Sequence, residues 1–169
     1  MRLACPEDFE EKDGLYWPPY GDYPFFTARA EWIAQRYCGA QVLIAGCGWG
    51  YTVLHARALG VDCRGVDASP YALRRARELG LEDVVVYGDI TRADRMPELE
   101  VDVVLTEDVY PMLTLDEVEQ AQEVLHSYGE VAHWVSPILG RVHPAIQCAL
   151  SPKEWVEFLA PDPVMLVGA

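Results

Sequence analysis

Short apolar runs alternate with amphipathic stretches along the chain. Five runs, Gln41–Ala45, Val61–Val66, Val84–Tyr87, Val101–Thr106 and Glu130–Val135, predict strands. Several are apolar without alternation, the pattern of parallel strands covered on both faces. The second is interrupted by Asp62 and Arg64. Between them lie segments with helix start and stop signals. Phe26, Ala30, Ile33, Ala34 and Tyr37 recur at helical spacing and predict a helix over Phe25–Tyr37 before the first strand. Ser69 with Pro70 starts another, which Gly80 ends. Thr114 with Glu117, and Ser151 with Glu154, fit the capping box, and Gly129 closes the helix that begins near Leu115. A last helix near Lys153–Leu159 and one short strand near Val164–Val167 follow. Strand–helix alternation of this kind implies a three-layer α/β domain over residues 1–169, with a mostly parallel sheet and helices on both faces.

Composition narrows the function classes. Apolar residues make up 51% of the 169, enough for a sizeable core in one domain, and no run reaches the roughly 18 apolar residues of a membrane helix. The acidic N-terminus does not resemble a signal or transit peptide. Thirteen basic side chains stand against 27 acidic ones, a net charge of −14. Arg74, Arg75 and Arg77 form the longest basic cluster, with Glu78 beside them on a helix. Duplex DNA and RNA are therefore not expected as partners. Five cysteines, without CxxC spacing, imply no disulfide framework and no zinc site, and favour a cytoplasmic location.

The candidate chemistry lies at the ends of successive strands. After the first strand comes AGCGWG, with Gly46, Gly48 and Gly50 at every second position before a helix. Such a loop turns sharply and lets a ligand lie against the backbone. A purely structural turn is the competing reading. Asp67 ends the second predicted strand in GVDAS, 17 residues beyond Gly50. A carboxylate there can accept from both hydroxyls of a ribose. The competing role, capping the next helix, is already filled by Ser69. Asp89 ends the third predicted strand in GDI, where it can accept from an adenine amine while Ile90 covers the base. A Gly-Asp turn explains it equally well.

AGCGWG, GVDAS, GDI and the segment LTEDVYPML after the fourth strand resemble the class I S-adenosylmethionine-dependent methyltransferases over residues 41–135. The GxGxG spacing differs from the GxGxxG of dinucleotide sites, since Tyr51 stands where that pattern needs glycine. The resemblance implies a Rossmann-like fold and S-adenosylmethionine as cofactor. It implies that Gly46, Gly48, Asp67 and Asp89 hold the methionine part, the ribose and the adenine. Thr106 would give a backbone contact. Cys47, Gly50, Ala68, Ile90 and Glu107 would complete the cofactor site.

Three departures set further expectations. Ile44 stands where the family commonly has a carboxylate near the cofactor's amino group, so Glu107 or Asp108 would have to replace it. Met112 stands about where many small-molecule members have a histidine, so no catalytic histidine carries over. The family usually has two further strands at the end, which leaves this chain with a reduced C-terminal end, a truncation, or an edge covered by another subunit in a homodimer.

Candidate bases are Asp108 and His133, the latter weighed against a partly buried strand histidine. The N-terminal stretch Tyr16–Phe26 is dense in aromatics and proline, and its Trp17-Pro18-Pro19-Tyr20 matches the Asp/Asn-Pro-Pro-Tyr motif only by coincidence. Residues 1–24 would form an arm or lid, with Tyr20 and Tyr23 over the cofactor. Ser136–Leu150 would be a loop that selects substrate. The expected function is methyl transfer to a small molecule or a protein side chain. The alternatives are a cofactor-binding regulatory domain without catalysis, or another enzyme that uses the same cofactor.

Overall fold

A computed structural model describes residue 9 and residues 20–135, 147–148 and 150–166. Its elements are α1 (Pro24–Arg36), β1 (Gln41–Ala45), α2 (Tyr51–Ala58), β2 (Asp62–Asp67), α3 (Pro70–Glu78), β3 (Val85–Tyr87), β4 (Val103–Glu107), α4 (Leu115–His126), β5 (Glu130–Val135), α5 (Pro152–Leu159) and β6 (Val164–Leu166). Short 3-10 turns at Ala93–Arg95 and Tyr110–Met112 flank β4.

The six strands form one sheet in the order β3-β2-β1-β4-β5-β6, and every neighbouring pair is parallel. The chain runs outward from β1 to β3, then returns to lay β4 against the other side of β1. That reversal opens a crevice at the carboxyl ends of β1 and β4, where open α/β sheets bind ligands.

Two apolar layers account for the non-alternating strands. Leu43 and Ala45 of β1 pack with Val104, Val118, Leu125, Trp155 and Leu159 on the α4/α5 face. Val42 and Ile44 point the other way, to Ala30, Ile33, Val53, Ala56 and Ala76 under α1, α2 and α3. Alternate residues of a strand face opposite sides of the sheet, so a strand covered on both sides is apolar throughout. A third cluster gathers Phe9, Tyr20, Phe26, Trp49 and Tyr51 beside the glycine loop.

The local signals act as the sequence implies. Both capping boxes form, Thr114 with Glu117 and Ser151 with Glu154, and Ser69 accepts from the Ala72 N–H. The α/β, Rossmann-like fold is the one expected. Strand boundaries shift by a residue or two: β3 begins at Val85 rather than Val84 and ends at Tyr87 as expected, two residues before Asp89. Val167 and most of Ser136–Leu150 lie outside the described residues, as does the arm before Tyr20 except for Phe9.

Candidate active site

The glycine loop adopts the conformation its composition demands. Gly46, Gly48 and Gly50 all have positive φ, at 74°, 56° and 85°, a region that side chains with a Cβ disfavour. The Gly46 and Cys47 N–H groups both donate to the Val66 carbonyl, which ties the loop to β2. The three glycines differ in what they face. A Cβ on Gly46 would lie 2.4 Å from Cβ of Val109, and one on Gly48 would lie 2.8 Å from the Tyr20 hydroxyl. A Cβ on Gly50 would instead meet Leu81 and Val85 in the core. Cys47 is buried with its thiol toward Gly65, and burial pushes that thiol well above its ordinary range.

One cavity opens at the crevice, walled by Gly46 and Gly48, by Asp67, Ala68 and Ser69 at the end of β2, by Gly88 and Ile90 after β3, and by Glu107, Asp108 and Val109 at the end of β4. Phe9, Tyr20, Phe25, Phe26 and Arg29 close it from the N-terminal side, and Met112 and Leu113 complete it. The Asp67 carboxylate accepts from the Gly48 N–H (2.9 Å) and the Ser69 N–H (2.8 Å), so it braces the loop while also lining the cavity. Burial pushes it up to about 6, against the pull of those two N–H groups.

The floor beside β4 is charged. Arg29, on the buried stripe of α1, donates to Glu107 Oε1 at 2.5 Å and to Asp108 Oδ2 at 2.7 Å. Phe25 and Trp134 stack on its guanidinium. Burial opposes the Arg29 charge, and the two carboxylates more than offset that. Burial raises Glu107, opposed by Arg29 and by the Thr52 hydroxyl, which donates to the same Oε1. Glu107 Oε2 is buried and has no hydrogen-bond partner among the described residues. Asp108 is the one non-glycine with positive φ among them, at 51°, a strain typical of functional turns.

Other sequence candidates are elsewhere. Asp89 is not among the lining residues; its Oδ1 accepts from the Thr91 N–H and hydroxyl, an Asx-turn arrangement. Tyr23 precedes α1 and stacks on Phe25 outside the lining. Thr106 and His133 are fully buried and joined, Oγ1 to Nδ1, at 3.0 Å. His133 Nε2 meets Asp162 at 3.1 Å, and Tyr110 packs on its ring. Neither residue lines the cavity. Arg29 is the charged lining residue the sequence reading missed, although an arginine three positions after Phe26 and next to Ala30 already falls on the apolar stripe.

The family profile described as methyltransferase domain matches residues 43–132, more than half of the chain. The chain belongs to this family. It is similar to solved class I structures. The CcbJ methyltransferase from Streptomyces caelestis is 25% identical, with a TM-score of 0.56 over 81% of this chain and 60% of that one. S-adenosylmethionine-bound CalS10, an amino pentose methyltransferase from Micromonospora echinaspora, gives 21%, 0.54, 70% and 53%. The glycopeptide N-methyltransferase MtfA complexed with S-adenosylmethionine gives 18%, 0.53, 62% and 46%. The chain thus spans 60% or less of their lengths. No curated protein sequence matches it. The class I resemblance and S-adenosylmethionine as the family's cofactor are borne out. Among the described residues no helix is long and apolar enough to cross a membrane.

Proposed function

We propose that the chain binds S-adenosylmethionine along the carboxyl edge of β1, β2 and β4 and transfers its methyl group to a small molecule or a protein side chain. The observation that carries this reading is Glu107, which lines the crevice beside the glycine loop and whose Oε2 is a buried carboxylate oxygen with no donor among the described residues. An ammonium group satisfies it, and the cofactor's amino group is one. Glu107 then replaces the carboxylate that Ile44 lacks. Asp67 accepts from the ribose, Gly46 and Gly48 admit the ligand to the backbone, and Ile90 covers the base. Tyr20 and Phe9 close over the loop and exclude water. Bound there, the cofactor supplies an electrophilic methyl group. Methyl transfer asks mainly for alignment at about 3 Å, which rigid walls provide.

The similar proteins named for amino sugars and glycopeptides favour a small-molecule acceptor over a protein side chain. The test is mass spectrometry of protein purified without added ligand, then incubation with S-adenosylmethionine and metabolite extracts. A retained sulfur nucleoside and one component gaining a methyl group are expected. Retention without any methylated component contradicts catalysis, and no retained or added nucleoside binding at all contradicts the site.

A further inference from the structure

Resting on that reading of Glu107, we infer that Thr52 is a positioning residue for the cofactor's amino group, because its hydroxyl holds the Glu107 carboxylate with one oxygen occupied and the other open. The bonding is one-sided. Glu107 Oε1 accepts from Arg29 Nη1 at 2.5 Å and from the Thr52 hydroxyl at 2.6 Å. Oε2 is buried without a partner among the described residues. An arginine fork often takes both oxygens of one carboxylate. Here it is divided, Nη1 on Glu107 and Nη2 on Asp108, and Thr52 takes the second place on Oε1. A carboxylate held twice on one oxygen turns only by breaking a charge-assisted bond, so Oε2 stays available to an ammonium.

The hydroxyl stands where an apolar side chain would pack at less cost. Thr52 is fully buried in the first turn of α2, next to Val53, which packs with Ala56 in the apolar layer under the helices. Valine has nearly the same shape, and a buried hydroxyl is costly unless it is hydrogen-bonded. The bond that offsets this cost reaches 55 positions along the chain to Glu107. Because α2 begins directly after Gly50, the same stretch of chain supplies the glycine loop and the donor that orients the carboxylate.

Thr52 also keeps Glu107 charged. Burial raises Glu107, and Arg29 followed by the Thr52 hydroxyl pulls it back. The other titratable neighbours are Asp108, which adds to the rise, and the Cys47 and Cys63 thiols, which burial keeps neutral. Without the hydroxyl Glu107 takes up a proton at a higher pH, and a neutral acid attracts an ammonium far less.

The experiment uses calorimetry on the whole chain. S-adenosylhomocysteine is titrated into the wild type first, and absence of binding overturns the cofactor reading itself. Thr52→Val should then weaken that ligand about tenfold, and Thr52→Ser, which keeps the hydroxyl, less than about threefold. Methylthioadenosine, a nucleoside thioether without the amino-acid end, should change less than about twofold with either variant, by titration or by displacement. The wild-type advantage over Thr52→Val should widen as pH falls from about 8 to 6, since Glu107 is protonated first in the variant; Asp67 is common to both proteins and cancels. Thr52→Ala carries the same expectation if Thr52→Val does not fold. Equal losses in Thr52→Val and Thr52→Ser, equal losses of both nucleosides, a ratio independent of pH, or no loss at all overturns the inference while the cofactor reading stands. So does failure of both hydroxyl-free variants to fold while Thr52→Ser folds, which would make the residue structural.

Discussion

Asp108 and His133 lie at the carboxyl ends of adjacent strands, yet they occupy different worlds. Asp108 lines the cavity, strained at positive φ and paired with Arg29. His133 is sealed on the opposite face of the sheet, under Tyr110, between Thr106 and Asp162. The register explains the split: Thr106 is paired with His133, and Glu107 with Trp134. Side chains alternate across a strand, so Thr106 and His133 meet on the α4/α5 face while Glu107 and Trp134 meet Arg29 on the other. One step along the chain separates a core hydrogen bond from the charged floor of the cavity.

The largest effect is expected at Arg29. Arg29→Leu strands Glu107 as a buried acid without its cation, and should cost about 3–5 kcal/mol of stability. Denaturant unfolding checks this, and a loss under about 1 kcal/mol would show that the pair is dispensable.

Next comes the sealed histidine. His133→Phe leaves Thr106 and Asp162 short of a partner and should cost roughly 1–3 kcal/mol without changing cofactor affinity. Burial holds His133 below its ordinary 6.5 despite Asp162. A histidine with a lowered folded pKa contributes stability above its unfolded value, and that contribution is lost as pH falls below about 6.5. Asp67 acts in the opposite sense, since its raised pKa favours the fold as pH falls through 6. The wild-type minus His133→Phe difference isolates the histidine and should shrink on acidification. A difference independent of pH between 7 and 5 contradicts the assignment.

On the cavity side, Asp67→Asn should weaken cofactor binding by about 2 kcal/mol, the worth of charge-assisted bonds to a ribose. Because the free carboxyl sits at about 6, wild-type affinity should hold above pH 7 and fall up to tenfold per unit below 6. The variant should lack that fall. The smallest effect is Ser151→Ala, about 1 kcal/mol from the lost cap of α5, with no change in binding.

Much of this arrangement was legible in the sequence because it follows from local rules. The glycines announce positive φ, the strands announce two covered faces, and the caps of α4 and α5 form from their own four residues. What the sequence did not disclose depends on register and distance. Arg29 and Glu107 are 78 positions apart, and only the α1–sheet packing joins them. Asp89 satisfies its own turn through Thr91, a choice that its GDI context leaves open. His133 was a candidate base because its strand end was right; its parity against β4 put it on the wrong face. Met112, where a histidine would stand in many relatives, does line the cavity.

The proposed function requires that this crevice hold S-adenosylmethionine, with Asp67 on the ribose and Glu107 on the amino group. Calorimetry with S-adenosylmethionine, S-adenosylhomocysteine and NAD on the full chain tests it most directly. Both sulfur nucleosides should bind saturably and be weakened by Asp67→Asn and by Glu107→Gln, with no comparable binding of NAD. Tighter binding of NAD than of either, or sulfur-nucleoside affinity untouched by both substitutions, would contradict it.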